Sequence, residues 1–76
     1  MSVNLYGGLE EYSPKGKRKN NKIDADKIDD VRDLVKQFEI PEEEIQVILI
    51  DGKHADLDSE VKKQSVVSIF PLIGGG

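Results

Sequence analysis

Cysteine is absent from this sequence, and no apolar run approaches the length that a transmembrane helix needs. The chain therefore has no disulfides, no cysteine-ligated zinc and no cysteine nucleophile, and the absence fits a reducing compartment. The first residues show no basic region followed by an apolar stretch, so we expect no signal peptide and a cytoplasmic location. His54 is the only histidine, which favours a surface residue without a metal-binding role.

Groups that usually carry catalysis are equally scarce. Glu42-Glu43-Glu44 is a run of carboxylates, and such runs usually form solvated turns. Neither Gly7-Gly8 nor the glycines near residue 76 open a helix, so no phosphate-binding loop is predicted. We therefore expect no catalytic residues and no metal site.

The composition indicates one small globular domain spanning residues 1–76. Hydrophobic residues make up 37% of the chain, which is enough for one core and too many for a disordered chain. The net charge of −4 argues against nucleic acid as the main partner and favours a basic protein partner.

Local patterns predict one helix and five strands, two of them short. Asp26 is a candidate N-cap for a helix over residues 27–39, which carries an apolar stripe at three- and four-residue steps. The helix must end near Glu39, because Ile40 precedes Pro41. The predicted strands are residues 2–6, residues 22–24 with Ile23 inward, residues 45–50, residues 53–56 and a last strand that includes Val66 to Phe70. The predicted core is Ile28, Val31, Leu34, Phe38, Val47, Leu49, Val67 and Ile69.

The most informative stretch of the sequence is its last twelve residues, S-V-V-S-I-F-P-L-I-G-G-G. Pro71 should end the strand ladder, because it has no N–H to donate. Leu72 and Ile73 lie beyond that stop, and three glycines without side chains follow. We expect residues 71–76 to form a flexible tail that carries the carboxylate of Gly76 on a stalk thin enough for a narrow channel.

The segment from Ile69 to Gly76, I-F-P-L-I-G-G-G, resembles the end of the ThiS/MoaD-like sulfur carriers of thiamin and molybdopterin biosynthesis, which are ubiquitin-like. The resemblance extends to the element order and implies an α+β fold of the β-grasp type. In that fold a mixed sheet of four to five strands packs on one helix. The last strand should then lie beside the first, near the middle of the sheet.

The resemblance also implies a role in chemistry. An E1-like adenylating enzyme would use ATP to activate Gly76, and sulfur transfer would convert its carboxylate to a thiocarboxylate. A sulfur-accepting synthase subunit would then use that sulfur to build thiazole or the dithiolene of the molybdenum or tungsten cofactor. Gly74 and Gly75 would thread into the partner, while Phe70, Pro71, Leu72 and Ile73 would dock on it. The chain would be a protein co-substrate rather than an enzyme, with no cofactor bound.

Two other functions remain open at this point. A ubiquitin-like modifier would use the same activated glycine to form conjugates with lysines, and a β-grasp binding module would have an inert tail. Residues 15–22, here called the basic loop, carry five Lys and Arg residues and no acid. A solvated hairpin loop is the favoured interpretation, with a protein contact or a nucleic-acid contact as alternatives. Nucleic acid is the weaker alternative, because no aromatic residue lies within the run.

Overall fold

Residues 1–72 are described by the structure, a computed structural model, except for the side chain of Lys15. The strands are β1 (Ser2–Leu5), β2 (Asn21–Lys22), β3 (Ile45–Ile50), β4 (Lys53–Ala55) and β5 (Val66–Pro71), and the helix is α1 (Val31–Phe38). Short 3-10 turns lie at Leu9–Tyr12, Pro14–Gly16, Ala25–Lys27 and Glu42–Glu44.

The five strands form one mixed sheet in the order β2-β1-β5-β3-β4. β1 and β5 run parallel, while the other neighbouring pairs run antiparallel. The last strand therefore lies beside the first and in the middle of the sheet. This arrangement, with a single helix in the described residues, confirms the predicted β-grasp fold.

The core lies between α1 and one face of the sheet. The helix contributes a fully buried stripe, in which Val31, Leu34 and Val35 are 0% exposed. The middle of the sheet contributes alternate residues of its two parallel strands, which are Val3, Leu5, Val67 and Ile69. Six of the eight predicted core residues are confirmed: Ile28, Val31, Leu34, Phe38, Val67 and Ile69.

The other two predicted core residues, Val47 and Leu49, were assigned to the wrong face of β3. Ile48 is the buried residue of this strand and pairs with Ile69, so the residues on either side of it project to the opposite face. A register shift between Ile45 and Val47 also lets Ile45 pack against the core. Because both faces of residues 45–50 are apolar, alternation alone could not decide which face is inward.

The helix begins four residues later than predicted. Asp30, not Asp26, is its N-cap, and the Asp30 carboxylate accepts a hydrogen bond from the Asp33 amide at 2.9 Å. The Asp33 carboxylate in turn accepts from the Asp29 amide at 3.1 Å. Ala25–Lys27 forms a separate turn, capped by Asp24. Several aspartates in this part of the sequence could serve as an N-cap, and in the structure Asp24 caps the turn and Asp30 caps the helix.

β2 is also displaced from its predicted position. It comprises Asn21–Lys22, and Asn21 is its buried residue. Ile23 follows the strand and packs partly buried against the core, so its inward position is confirmed. The Asn21 side chain donates to the Val3 carbonyl at 3.2 Å and to the Lys17 carbonyl at 2.9 Å. A polar residue can therefore take the inward position because its amide group is hydrogen-bonded there.

The ladder ends at Pro71, as predicted, but Pro71 is itself paired. It is the last residue of β5 and lies opposite Ile45, and the Leu72 amide donates to the Glu44 carbonyl at 3.1 Å. Successive amides of a strand point to opposite sides, so the nitrogen of Pro71 faces away from β3. No hydrogen bond to β3 is lost at this residue, and the predicted tail thus starts at least two residues later than residue 71.

Candidate functional site at the end of the last strand

The site starts where β5, the middle strand, ends. Leu72 is the last described residue, and its side chain is 62% exposed although its amide is hydrogen-bonded to Glu44. We call this point the tail exit, because residues 73–76 continue from it. The predicted site residues Ile73, Gly74, Gly75 and Gly76 lie outside the described residues.

Two 3-10 turns frame the tail exit. Leu9–Tyr12 follows β1, Glu42–Glu44 precedes β3, and β5 ends between them. The Tyr12 hydroxyl donates a hydrogen bond to the Glu44 carboxylate and so links the two turns. This hydrogen bond raises the pKa of Tyr12 to about 12, assisted by partial desolvation and the negative charge of Glu44. Glu44 therefore holds Tyr12 with its side chain and Leu72 with its backbone carbonyl.

Gly7 gives Pro71 the space that it needs at this end of the sheet. Gly7 has a φ of +61°, in the left-handed region that glycine adopts without strain. A Cβ at Gly7 would lie 2.6 Å from the Cγ of Pro71 and 2.8 Å from its Cδ. The pyrrolidine ring thus rests directly on the glycine backbone, which fixes the position of the chain just before the tail exit.

An apolar patch lies on the sheet face opposite the core, and its apolar residues are Val47, Leu49, Phe70, Pro71 and Leu72. Val47 and Phe70 are direct partners across β3 and β5, so their side chains share this face. Tyr6 stacks on Phe70 with ring centroids 4.7 Å apart and an angle of 6° between the planes. Apart from Leu72, the side chains of the patch are half-buried. Partly exposed apolar side chains grouped in this way are typical of protein interfaces.

Of the four residues predicted to dock on a partner, the structure brings Phe70, Pro71 and Leu72 into the apolar patch. The ring of Pro71 also contacts Gly7, while Ile73 lies outside the described residues. Val47 and Leu49 were predicted as core residues and not as surface residues, although the sequence pattern shows that both faces of their strand are apolar.

His54 and two absences complete the description of residues 1–72. His54 is exposed on β4 opposite Leu49, at the margin of the apolar patch. No cluster of histidine and carboxylate side chains in the described residues could hold a metal ion. None of the helices in this part of the chain is long and apolar enough to cross a membrane.

A mixed five-stranded sheet on one helix, with an apolar patch beside the exit of a glycine-ended tail, defines the chain as a ubiquitin-like β-grasp protein. The model of the ThiS family matches residues 3–76, and the chain belongs to this family. A search of curated proteins found no relative that matches it. Proteins of the ThiS family are small sulfur carriers rather than enzymes, and membership implies partnership with adenylating and synthase enzymes in general.

Proposed function

We propose that this chain carries sulfur as a thiocarboxylate on Gly76 and delivers it to a synthase that builds the thiazole of thiamin or the dithiolene of molybdopterin. The single observation that carries the proposal is the family match, which extends through residue 76 and so includes the three glycines. The tail exit supports it, because a middle strand held by neighbours on both sides presents the tail from a fixed base.

The chemistry required of Gly76 follows from the low reactivity of a carboxylate toward nucleophiles. An adenylating enzyme joins the Gly76 carboxylate to the α-phosphate of ATP and releases pyrophosphate. A sulfur nucleophile then attacks the carbonyl carbon, a C–S bond forms, and the C–O bond to AMP breaks. The chain itself contributes the carboxylate and a stalk of glycines without a Cβ, which suits a narrow channel. ATP is thus used by the partner and not held by this chain.

The experiment is an intact-mass measurement on the purified chain mixed with ATP, the adenylating enzyme of the same organism and a sulfide source. The native chain should gain the mass difference between sulfur and oxygen. A Gly75→Val chain should not, because the branched Cβ restricts the tail and would clash in a narrow channel. A chain lacking Gly76 should also fail, because its carboxylate would stop short of the nucleotide.

Three outcomes would contradict the proposal. Thiocarboxylation of the Gly75→Val chain as fast as the native chain would show that the tail is not threaded. Conjugates on many cellular proteins, with no thiocarboxylate, would instead favour a ubiquitin-like modifier. The absence of both thiocarboxylate and conjugates would favour a binding module.

Gene deletion separates the pathways: a requirement for thiamin indicates thiazole synthesis, whereas loss of molybdenum- or tungsten-enzyme activity indicates molybdopterin synthesis.

A further inference from the structure

The backbone of the basic loop is held in place by hydrogen bonds from buried polar residues. The Lys17 carbonyl accepts from the Ser13 hydroxyl at 2.7 Å and from the Asn21 amide group at 2.9 Å. Ser13 and Asn21 are each only 6% exposed. The next carbonyl, that of Arg18, accepts from the Leu5 amide at 2.7 Å, which continues the pairing along the edge of β1. A solvated hairpin loop would not need two buried polar side chains to fix its shape.

The loop exposes its cations while its backbone is fixed. Lys17, Lys19 and Lys22 are exposed, and none of the three forms a salt bridge with a residue among 1–72. Arg18 is tied to Glu10 at 3.0 Å, which attaches the loop to the turn that frames the tail exit. Several ammonium groups are therefore presented on a preformed support, a geometry that lowers the entropic cost of binding an anionic surface.

The loop lies at the same end of the sheet as the tail exit. Leu5, which bonds to Arg18, is the β1 partner of Ile69, and β5 ends two residues after Ile69. Adjacent strands are about 4.8 Å apart, so the loop backbone at Arg18 lies roughly 10 Å from β5. A protein that takes the tail into an active site must approach this end of the molecule, and the basic loop faces it there.

The charge of the rest of the chain makes the basic loop distinct. Outside residues 15–22, six Lys and Arg residues stand against 15 Asp and Glu residues, which gives a formal charge of −9. Inside the loop the formal charge is +5. A nucleic acid, charged along its whole length, would be repelled by most of this surface, whereas a protein can offer a local acidic area.

We propose that the basic loop is a second docking surface, which binds an acidic area on the adenylating enzyme beside the channel that takes the tail. The inference rests on the proposed function and adds the chemistry of one partner surface. The loop and the apolar patch then flank the tail exit, so that charge orients the encounter while the patch supplies apolar contact.

The test compares two double charge reversals in the adenylation assay. Lys17→Glu with Lys19→Glu changes the loop, and Lys27→Glu with Lys62→Glu is the control. All four lysines are exposed, and Lys62 precedes β5, at the end of the sheet opposite the tail exit. The loop variant should raise KM about tenfold at low salt with kcat unchanged, because exposed interface charges act mainly on association. At about 0.5 M salt the difference should shrink, because screening shortens the range of these charges. The control should stay near the native KM.

Each other outcome overturns the inference. Equal KM values for the loop variant and the native chain would show that the loop does not dock, and equal increases in both double variants would assign the effect to net charge alone. A loss confined to kcat and independent of salt would indicate a structural defect, for which denaturant unfolding provides the check. Binding of a labelled 20-nucleotide oligouridine that the loop variant loses, with KM unchanged, would assign the loop to RNA. If the native chain itself is not adenylated, the proposed function fails together with this inference. If the native chain is adenylated, the outcomes above test only the docking role of the basic loop.

Discussion

Gly7 and Pro71 form the closest contact at the tail exit. The glycine is required there for two separate reasons, its positive φ and the lack of space for a Cβ. Gly16 shares only the first, since its φ is +65° but nothing lies within 4 Å of a Cβ built on it. The two positions therefore allow backbone strain and steric exclusion to be measured separately.

Gly7→Ala should destabilise the fold more than Gly16→Ala. At Gly16 the cost should be that of a non-glycine residue in the left-handed region, about 1–3 kcal/mol. At Gly7 the same strain is joined by a collision with the Pro71 ring, which must move and carry Leu72 with it. Denaturant unfolding measures both costs, and Gly7→Ala should also decrease adenylation, because the base of the tail moves with Pro71. Equal costs would show that Pro71 moves aside freely.

Leu34 and Leu49 allow a second comparison, because the same substitution can be made on each side of the sheet. Leu34 is 0% exposed in the core, so Leu34→Ala should lower the free energy of unfolding by about 2–5 kcal/mol. Leu49 is half-buried in the apolar patch, so Leu49→Ala should cost well under half of that and should instead raise the KM for adenylation. A larger stability loss at Leu49 than at Leu34 would contradict the placement of the core.

At the scale of secondary-structure elements, the sequence predicts the inward face correctly where the apolar residues lie on one face only. The helix stripe around Leu34 is apolar on one face only, so its inward face was unambiguous. β3 is apolar on both faces, and its inward face depends on a register shift that no local pattern shows. The start of α1 was also ambiguous, because several aspartates could serve as its N-cap. Tertiary hydrogen bonds from the first-turn amides decide it: Val31 donates to the Ser59 carbonyl, and Arg32 donates to the Leu57 carbonyl.

The candidate site divides in the same way. Its tail was visible in the sequence, because Phe70-Pro71 followed by glycines is a local motif. The apolar patch was only half visible, since it combines residues from strands that are distant in sequence. The link between Tyr12 and Glu44 could not be predicted, because it joins two turns 32 residues apart.

The Tyr12–Glu44 link should hold the base of the tail. Tyr12→Phe removes the hydroxyl and keeps the ring, so the fold should persist while the Leu72 amide exchanges with solvent faster than in the native chain. Glu43→Gln is the control, because Glu43 is an adjacent carboxylate with no hydrogen bond among the described side chains. Unchanged exchange in Tyr12→Phe, measured by NMR, would show that the Glu44 carbonyl is held without Tyr12.

The same link predicts a dependence on alkaline pH. The pKa of Tyr12 is raised to about 12 in the fold, against an ordinary value of about 10 in the unfolded chain. Its contribution to stability is therefore complete below pH 10 and is lost as the pH rises through 12. Tyrosinate absorbance should show one titration near pH 12 that is missing from Tyr12→Phe. If the native chain shows no such late titration, the hydrogen bond does not persist in solution.

At the scale of the whole molecule, docking and chemistry are assigned to different parts of one small chain. The apolar patch and the basic loop surround the tail exit and would supply contact area, while the reacting atom would be in residue 76. The patch includes residues of β5, and the basic loop is hydrogen-bonded to β1 beside it, so a partner that docks on the sheet receives the tail in a defined direction. This separation implies that binding can be retained when the chemistry is blocked.

A chain with a blocked tail should therefore inhibit the native chain. Gly75→Val leaves the patch and the loop unchanged, so it should compete for the adenylating enzyme with an inhibition constant near the KM of the native chain. Adding Leu49→Asp to that chain should weaken the inhibition at least tenfold, because a charge at the patch would lose its hydration on docking without gaining a partner. Adding Lys27→Glu instead should leave inhibition unchanged, since Lys27 is exposed and follows Asp26, which pairs with Lys63 at the end of the sheet opposite the tail exit. The measurement is the rate of ATP-dependent pyrophosphate release by the adenylating enzyme with the native chain as substrate, at several inhibitor concentrations. If the Gly75→Val chain does not compete, the affinity lies mainly in the tail itself, and the patch is not the docking surface.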